Sequence, residues 1–186
     1  MTRIGVVSDT HGLLRPEALE ALAGSELIVH AGDVGGPGIL AALREIGPVV
    51  AVRGNNDHGP WAEALPEETT VEAEGVRLHV IHDVKALDRR VLSGVQVVIA
   101  GHSHQPLCER RGDVLFFNPG SAGPRRFRLP IAVGRLDVRA STVEGRLIYL
   151  EVGPAAAGTG RPTGRSSAPP GRPAGRRGPG SGPPCG

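Results

Sequence analysis

Aromatic residues are scarce in this 186-residue chain, at 3% of positions. Proteins that bind nucleic acid by stacking bases on aromatic rings need several such side chains on one surface, so the shortage argues against that class. It also leaves the core to Val, Leu, Ile and Ala, which suits a fold of layered strands and helices. Cysteine is limited to Cys108 and Cys185. No disulfide framework is expected from two, in keeping with a reducing compartment. No apolar run approaches the roughly 18–20 residues that cross a bilayer. The first strand begins directly after Met1, and its apolar run is too short for a signal peptide. A cytoplasmic location is the expectation.

Acidic residues are missing from one end. From Pro154 onward there are five arginines (Arg161, Arg165, Arg172, Arg176, Arg177) and no Asp or Glu. The formal net charge of +2 therefore misleads: the remaining body holds 16 basic and 19 acidic side chains. Such a body offers no broad basic face for nucleic acid. The Gly/Pro/Arg/Ser-rich stretch lacks hydrophobic periodicity and cannot bury enough apolar surface to order itself. We read one domain over residues 1–153 and a disordered tail over 154–186, in a chain long enough for one full core.

What is present is a series of short apolar runs, each ending in polar residues of similar chemistry. Val97 to Ala100 reads as a buried strand stopped by Gly101, with His102 and His104 immediately beyond. Side chains two apart in extended backbone point to one side, so two imidazoles face a common space. Arg3 to Ser8 is a strand ending in Asp9-Thr10-His11-Gly12, a sequence that also suits a polar turn. Pro16 to Ala23, stopped by Gly24, is a short helix. Leu27 to His30 is a strand ending in Ala31-Gly32-Asp33; His30 itself reads as a hydrogen-bonded core residue. Pro37 to Ile46 is a second helix. Pro48 to Val52 is a third strand ending in Arg53-Gly54-Asn55-Asn56-Asp57, with His58 solvated beyond it.

Strands alternating with helices predict a parallel sheet with right-handed crossovers, whose ligands bind beyond the carboxyl ends of the strands. The second half differs. Thr69 to Ala73 and Val76 to Ile81 flank Glu74-Gly75 as a hairpin. The second of these strands ends at His82-Asp83, with His79 facing the opposite side as a structural residue. Ala86 to Ser93 predicts a short helix. Leu107 to Arg110 and Val114 to Phe117 form another hairpin, leading to Asn118-Pro119-Gly120-Ser121. Ile131 to Val138 and Thr142 to Glu151 are the last strands. A second, mostly antiparallel sheet packed on the first gives a four-layer α/β/β/α sandwich.

The strand ends together supply Asp9, His11, Asp33, Asn55, His82, His102 and His104. One metal ion cannot use all seven, but two sharing a carboxylate can. Nitrogen and oxygen donors without thiolate suit Mn, Fe, Zn, Ni or Co.

This pattern resembles the calcineurin-like metallophosphoesterase superfamily, in its small single-domain branch of bacterial and archaeal phosphodiesterases, to which the retromer scaffold subunit is related. The resemblance runs from Met1 to about Leu150. It rests on five blocks in order: Asp9-Thr10-His11-Gly12, Gly32-Asp33, Gly54-Asn55-Asn56-Asp57, His82-Asp83 and Gly101-His102-Ser103-His104. Asn118-Pro119-Gly120-Ser121 is a further block typical of the branch.

The resemblance implies two divalent ions, with manganese favoured. Asp9, His11, Asp33 and His104 would hold the first, and Asp33 would bridge to a second held by Asn55, His82 and His102. It implies hydrolysis of phosphodiester bonds by a hydroxide bridging the two metals, with Asp33, Asn55 and His102 counted as catalytic. The implied partner is a small phosphodiester; neither membrane nor nucleic acid is expected, and a homo-oligomer is compatible with the sequence.

Two residues depart from the family pattern. Asn56 stands where many members carry a His that protonates the leaving group, and Asp83 stands where Gly is usual, which bears on how His82 is placed. Arg125, Arg126 and Arg128 follow the Asn-Pro-Gly-Ser block, where they could contact phosphate or stay solvated. The competing reading is a scaffold on the same fold with silent metal sites, and the complete ligand set argues for the enzyme.

Overall fold

The computed structural model describes residues 1–126, 128–152 and 180–181. In chain order the elements are β1 (Thr2–Val7), α1 (Pro16–Leu22), β2 (Leu27–His30), α2 (Pro37–Arg44), β3 (Val49–Ala51), α3 (Pro60–Glu63), β4 (Glu68–Ala73), β5 (Val76–Ile81), β6 (Val97–Ile99), β7 (Leu107–Arg111), β8 (Val114–Asn118), β9 (Ala132–Arg139), β10 (Thr142–Tyr149) and β11 (Gly180–Ser181). Each helix opens on a proline in its first turn, where the missing N–H costs nothing. The Glu74-Gly75 hairpin turn places both residues in left-handed backbone, at φ 50° and 77°, as a two-residue turn matched to strand twist requires.

The strands form two sheets. The first has the order β11-β10-β9-β1-β2-β3 and the second β4-β5-β6-β8-β7. Their inner faces pack together: Ile4, Val6 and Val29 of the first meet Leu78, Ile99 and Phe117 of the second in one buried cluster. A Cβ on Gly134 would collide with the Phe117 ring, so glycine at that position lets β9 close over it. On the outer face of the first sheet, Leu22 of α1 and Leu40 and Leu43 of α2 cover Val7 and Ile28. The architecture is thus the expected α/β sandwich.

Three details differ from the sequence reading. The helix expected over 86–93 is instead two 3-10 turns, Val84–Ala86 and Arg89–Leu92. The carboxylates of Asp83 and Asp88 accept from Lys85 N and Arg90 N, each at 2.9 Å, and this local bonding competes with a continuous helix. Leu87 and Leu92 still cover Val98 and Phe116, so the outer layer there is thin. The last two strands join the first sheet: β9 pairs antiparallel with β1 and closes the edge that β2 leaves open. The second sheet is also less antiparallel than expected, because β5, β6 and β8 run parallel at its centre.

Cys108 on β7 is disulfide-bonded, and one bridge does not amount to the disulfide framework that two cysteines argue against. Of the segment read as a tail, 154–186, only Gly180 and Ser181 are described, paired with β10; the rest of that expectation lies outside the described residues. No helix among the described residues is long and apolar enough to cross a membrane.

His30 ends β2 fully buried. Thr10 gives its hydroxyl proton to Val34 O at 2.8 Å, so His30 Nε2 donates to Thr10 Oγ1 at 2.9 Å. Burial pushes its pKa down to about 4, and the ring is neutral. The stability it contributes is complete above the unfolded pKa. That stability is lost as pH falls from 6.5 toward 4, because the unfolded chain binds a proton that the folded chain refuses. The His30 contribution to the free energy of urea unfolding, read as wild type minus His30→Asn, should fall by about 3 kcal/mol between pH 7 and pH 4. A difference that stays level across that window would contradict this placement of His30.

Candidate metal centre

The seven predicted residues come together where both sheets present the carboxyl ends of strands. Asp9 and His11 follow β1, Asp33 follows β2, Asn55 follows β3, His82 follows β5, and His102 and His104 follow β6. Five of the seven sit in left-handed backbone: Asp9 at φ 54°, His11 at 46°, Asp33 at 54°, His102 at 63° and His104 at 58°. Each such non-glycine residue costs about 1–3 kcal/mol unless its surroundings hold it there. Strain repeated at five chemically related positions singles this cluster out as the candidate functional site.

The loops are held by a few polar groups. Asp9 N donates to Gly32 O at 3.0 Å and His11 N to Asp33 O at 2.9 Å, which ties the first loop to the second. Asp57, buried, accepts from Val34 N at 3.1 Å, Gly35 N at 2.8 Å and Gly54 N at 2.9 Å. It therefore pins the second loop to the third. A Cβ on Gly54 would strike the Asp33 backbone, so the third loop needs glycine to come this close. Asn118 Nδ2 donates to Gly101 O at 2.7 Å while its Oδ1 accepts from Gly120 N at 2.9 Å. Ser121 Oγ donates to Asp9 O at 3.0 Å. Asp57 and Asn118 were visible in the sequence blocks without an assigned role, since nothing local shows which distant N–H groups they meet.

Two groups of donor atoms converge. His104 Nε2 lies 3.2 Å from Asp9 Oδ1 and 3.4 Å from His11 Nε2. Asp9 Oδ1 is buried without a hydrogen-bond partner, whereas Oδ2 accepts from Ser8 Oγ at 2.7 Å and His102 N at 3.1 Å. An orphaned buried carboxylate oxygen facing two imidazole nitrogens suits a cation. On the other side, Asn55 Oδ1 lies 3.0 Å from His82 Nε2 and 2.9 Å from His102 Nδ1. Asp33 Oδ2 stands between the groups, 3.8 Å from His11 Nε2 and 3.5 Å from His82 Nε2. Asp9, His11 and His104 form one set with donor atoms within 4.8 Å of one another, and Asp9, Asp33 and His82 form a second. The donor set fits divalent ions.

Charge follows from this geometry. Burial alone would raise the Asp33 pKa, but the bonds from His82 and from the Asn56 amides outweigh it and hold the carboxyl well below the usual range. Burial works against a charged His82 ring, yet Asp33 and the Ala31 carbonyl outweigh it and raise the pKa. His82 Nδ1 donates to Ala31 O at 2.7 Å, which turns Nε2 toward Asn55 and Asp33. His11 is shifted down, by burial first and by Arg126 and His104 besides.

The surroundings settle several expectations. Asp83 has φ −104°, ordinary extended backbone, so its replacement of glycine puts no strain on His82. Asn56 donates to Asp33 from its backbone N at 2.8 Å and from Nδ2 at 2.6 Å. His58 is exposed. His79 is buried at a distance from the cluster, bonded to Thr70 Oγ1 at 3.0 Å. Beside Asn55, His82 and His102 opens a cavity of about 790 Å³ whose wall includes Glu63, Glu67, Glu68 and Asp83.

A two-sheet sandwich with paired donor clusters at its strand ends defines a metallophosphoesterase. The sequence profile of the calcineurin-like phosphoesterase superfamily domain matches residues 2–141, and the chain belongs to that superfamily. It is 37% identical to a probable metallophosphoesterase of Methanocaldococcus jannaschii, over 80% of this chain and 81% of that protein. It is 29% identical to phosphodiesterase YfcE of Escherichia coli K12, over 74% of this chain and 88% of the relative. Its fold matches Vps29 of Chaetomium thermophilum at a TM-score of 0.69 and 22% identity, covering 80% of this chain and 89% of the other.

Metal binding must displace the proton that His82 holds above the ordinary histidine range. Manganese affinity of metal-stripped protein, titrated between about pH 8 and pH 6, should therefore weaken on acidification, by up to about tenfold per pH unit for each proton displaced. An affinity independent of pH would contradict this arrangement.

Proposed function

We propose that the chain hydrolyses small phosphodiesters with the help of two divalent ions. Asp9, His11 and His104 would hold one, Asn55, His82 and His102 the other, and Asp33 both. The observation that carries the reading is the orphaned Asp9 Oδ1 facing His11 and His104, with Asp33 placed between that group and the Asn55–His82–His102 group. The bound ions would supply Lewis acidity toward the phosphoryl oxygens and lower the pKa of the attacking water. We favour manganese, with nickel, iron, zinc or cobalt as alternatives, and a cytoplasmic setting.

The chain's own residues set the substrate range. Asn56 holds Asp33 through two donated hydrogen bonds but has no proton to give a leaving alkoxide, since an amide does not titrate near neutrality. Leaving groups must therefore depart as stable anions, which favours activated aryl diesters over alkyl esters. The acidic cavity wall beside the second group repels polyanions, so small diesters suit it better than nucleic acid. A purely scaffolding role would not require every donor position to be filled, and here all seven are.

The test is hydrolysis of an aryl phosphodiester and the matching monoester by metal-stripped protein with manganese restored. Diesterase activity should appear with the metal and fall at least about a thousandfold in Asp33→Ala. Asn56→His should raise turnover of a poor leaving group by about a hundredfold. Folded protein that binds manganese but is inert toward both substrates would overturn the enzymatic reading in favour of the scaffold.

A further inference from the structure

We propose that Arg126 is a substrate-contacting residue whose guanidinium binds a non-bridging oxygen of the phosphoryl group. This rests on the phosphodiesterase reading and extends it to the substrate. Three arginines follow the Asn-Pro-Gly-Ser block, all exposed, and among the described contacts only Arg126 reaches the centre. Its Nη2 stands 3.4 Å from His11 Nε2. His11 Nε2 in turn lies 3.4 Å from His104 Nε2 and 4.0 Å from Asp9 Oδ1. The guanidinium thus occupies the mouth of the first donor cluster.

A guanidinium has five donors, no lone pair and a permanent charge. It cannot be a ligand, and it competes for the space that a divalent ion would take. With an ion held by Asp9, His11 and His104, two cations would share one small region and repel each other. An anion placed between them relieves this, and a phosphodiester carries its negative charge on two non-bridging oxygens. One can face the ions and the other the fork of Arg126.

The loop that carries Arg126 is fastened to the loop that carries Asp9 and His11. Ala122 N donates to Ser8 O at 3.1 Å, Ser121 Oγ to Asp9 O at 3.0 Å and Arg15 Nε to Gly123 O at 3.3 Å. The base of the arm is therefore fixed while its charged tip is exposed. Arg53, on the opposite side, is paired with Glu67. Arg126 has no carboxylate partner among the described residues, which leaves its charge available to a ligand.

The experiment uses the full chain with Arg126→Ala and Arg126→Lys, and three readings: manganese affinity of the stripped protein, binding of inorganic phosphate to the manganese-loaded protein, and KM and kcat for an aryl phosphodiester. Arg126→Ala should weaken phosphate binding and raise KM about tenfold, while manganese affinity holds or rises. Arg126→Lys should recover part of the phosphate affinity. A merely structural arginine would lower metal and phosphate binding together, and that result would overturn the proposal, as would an unchanged phosphate affinity and KM. Wild-type protein that loads manganese but neither binds phosphate nor cleaves the diester would instead defeat the phosphodiesterase reading beneath it.

Discussion

The carboxylate of Asp33 is the group on which the geometry of the site turns. It follows β2 in left-handed backbone, takes two hydrogen bonds from Asn56, and faces His82 on one side and His11 on the other. These contacts connect loops from three strands of the first sheet to one of the second. The same contacts hold its charge in place, because burial alone would favour the protonated acid. Two carboxylates, Asp9 and Asp33, are almost wholly buried among imidazoles. Buried charge is stable only when paired and hydrogen-bonded. Asp9 Oδ1 has no hydrogen-bond partner, so the site is built for a cation that the protein chain itself does not provide.

The strained backbone and the loop pins are two sides of one arrangement. Left-handed residues aim side chains that extended backbone would send elsewhere. Asp57, Asn118 and Ser121 hold those turns through bonds to backbone groups of other loops. The rigid sandwich beneath fixes where the strands end, and the loops need only short spans to converge. Function here resides in connections at one edge of a conventional core.

The strand ends and their donors were legible because local pattern carries them: β-branched runs stopped by glycine, then Asp, Asn or His. The helices were legible at Pro16 and Pro37 for the same reason. Sheet order was not. Nothing in Ala132–Arg139 states that its partner is β1 rather than the neighbouring hairpin, since either pairing buries Leu136 and Val138. The stretch 86–93 read as a helix because its apolar spacing allows one, and the side-chain bonds of Asp83 and Asp88 decided otherwise. Asp57 escaped assignment because its role depends on Val34 and Gly35, more than twenty residues earlier. Asp83 raised a concern inherited from the family pattern, which its extended backbone removes.

Anomalous diffraction from crystals of the full chain grown with manganese should show two strong peaks roughly 3.5–4 Å apart, one beside Asp9, His11 and His104, the other beside Asn55, His82 and His102, with the Asp33 carboxylate between them. A single peak, or none at full manganese loading, would contradict the dinuclear centre.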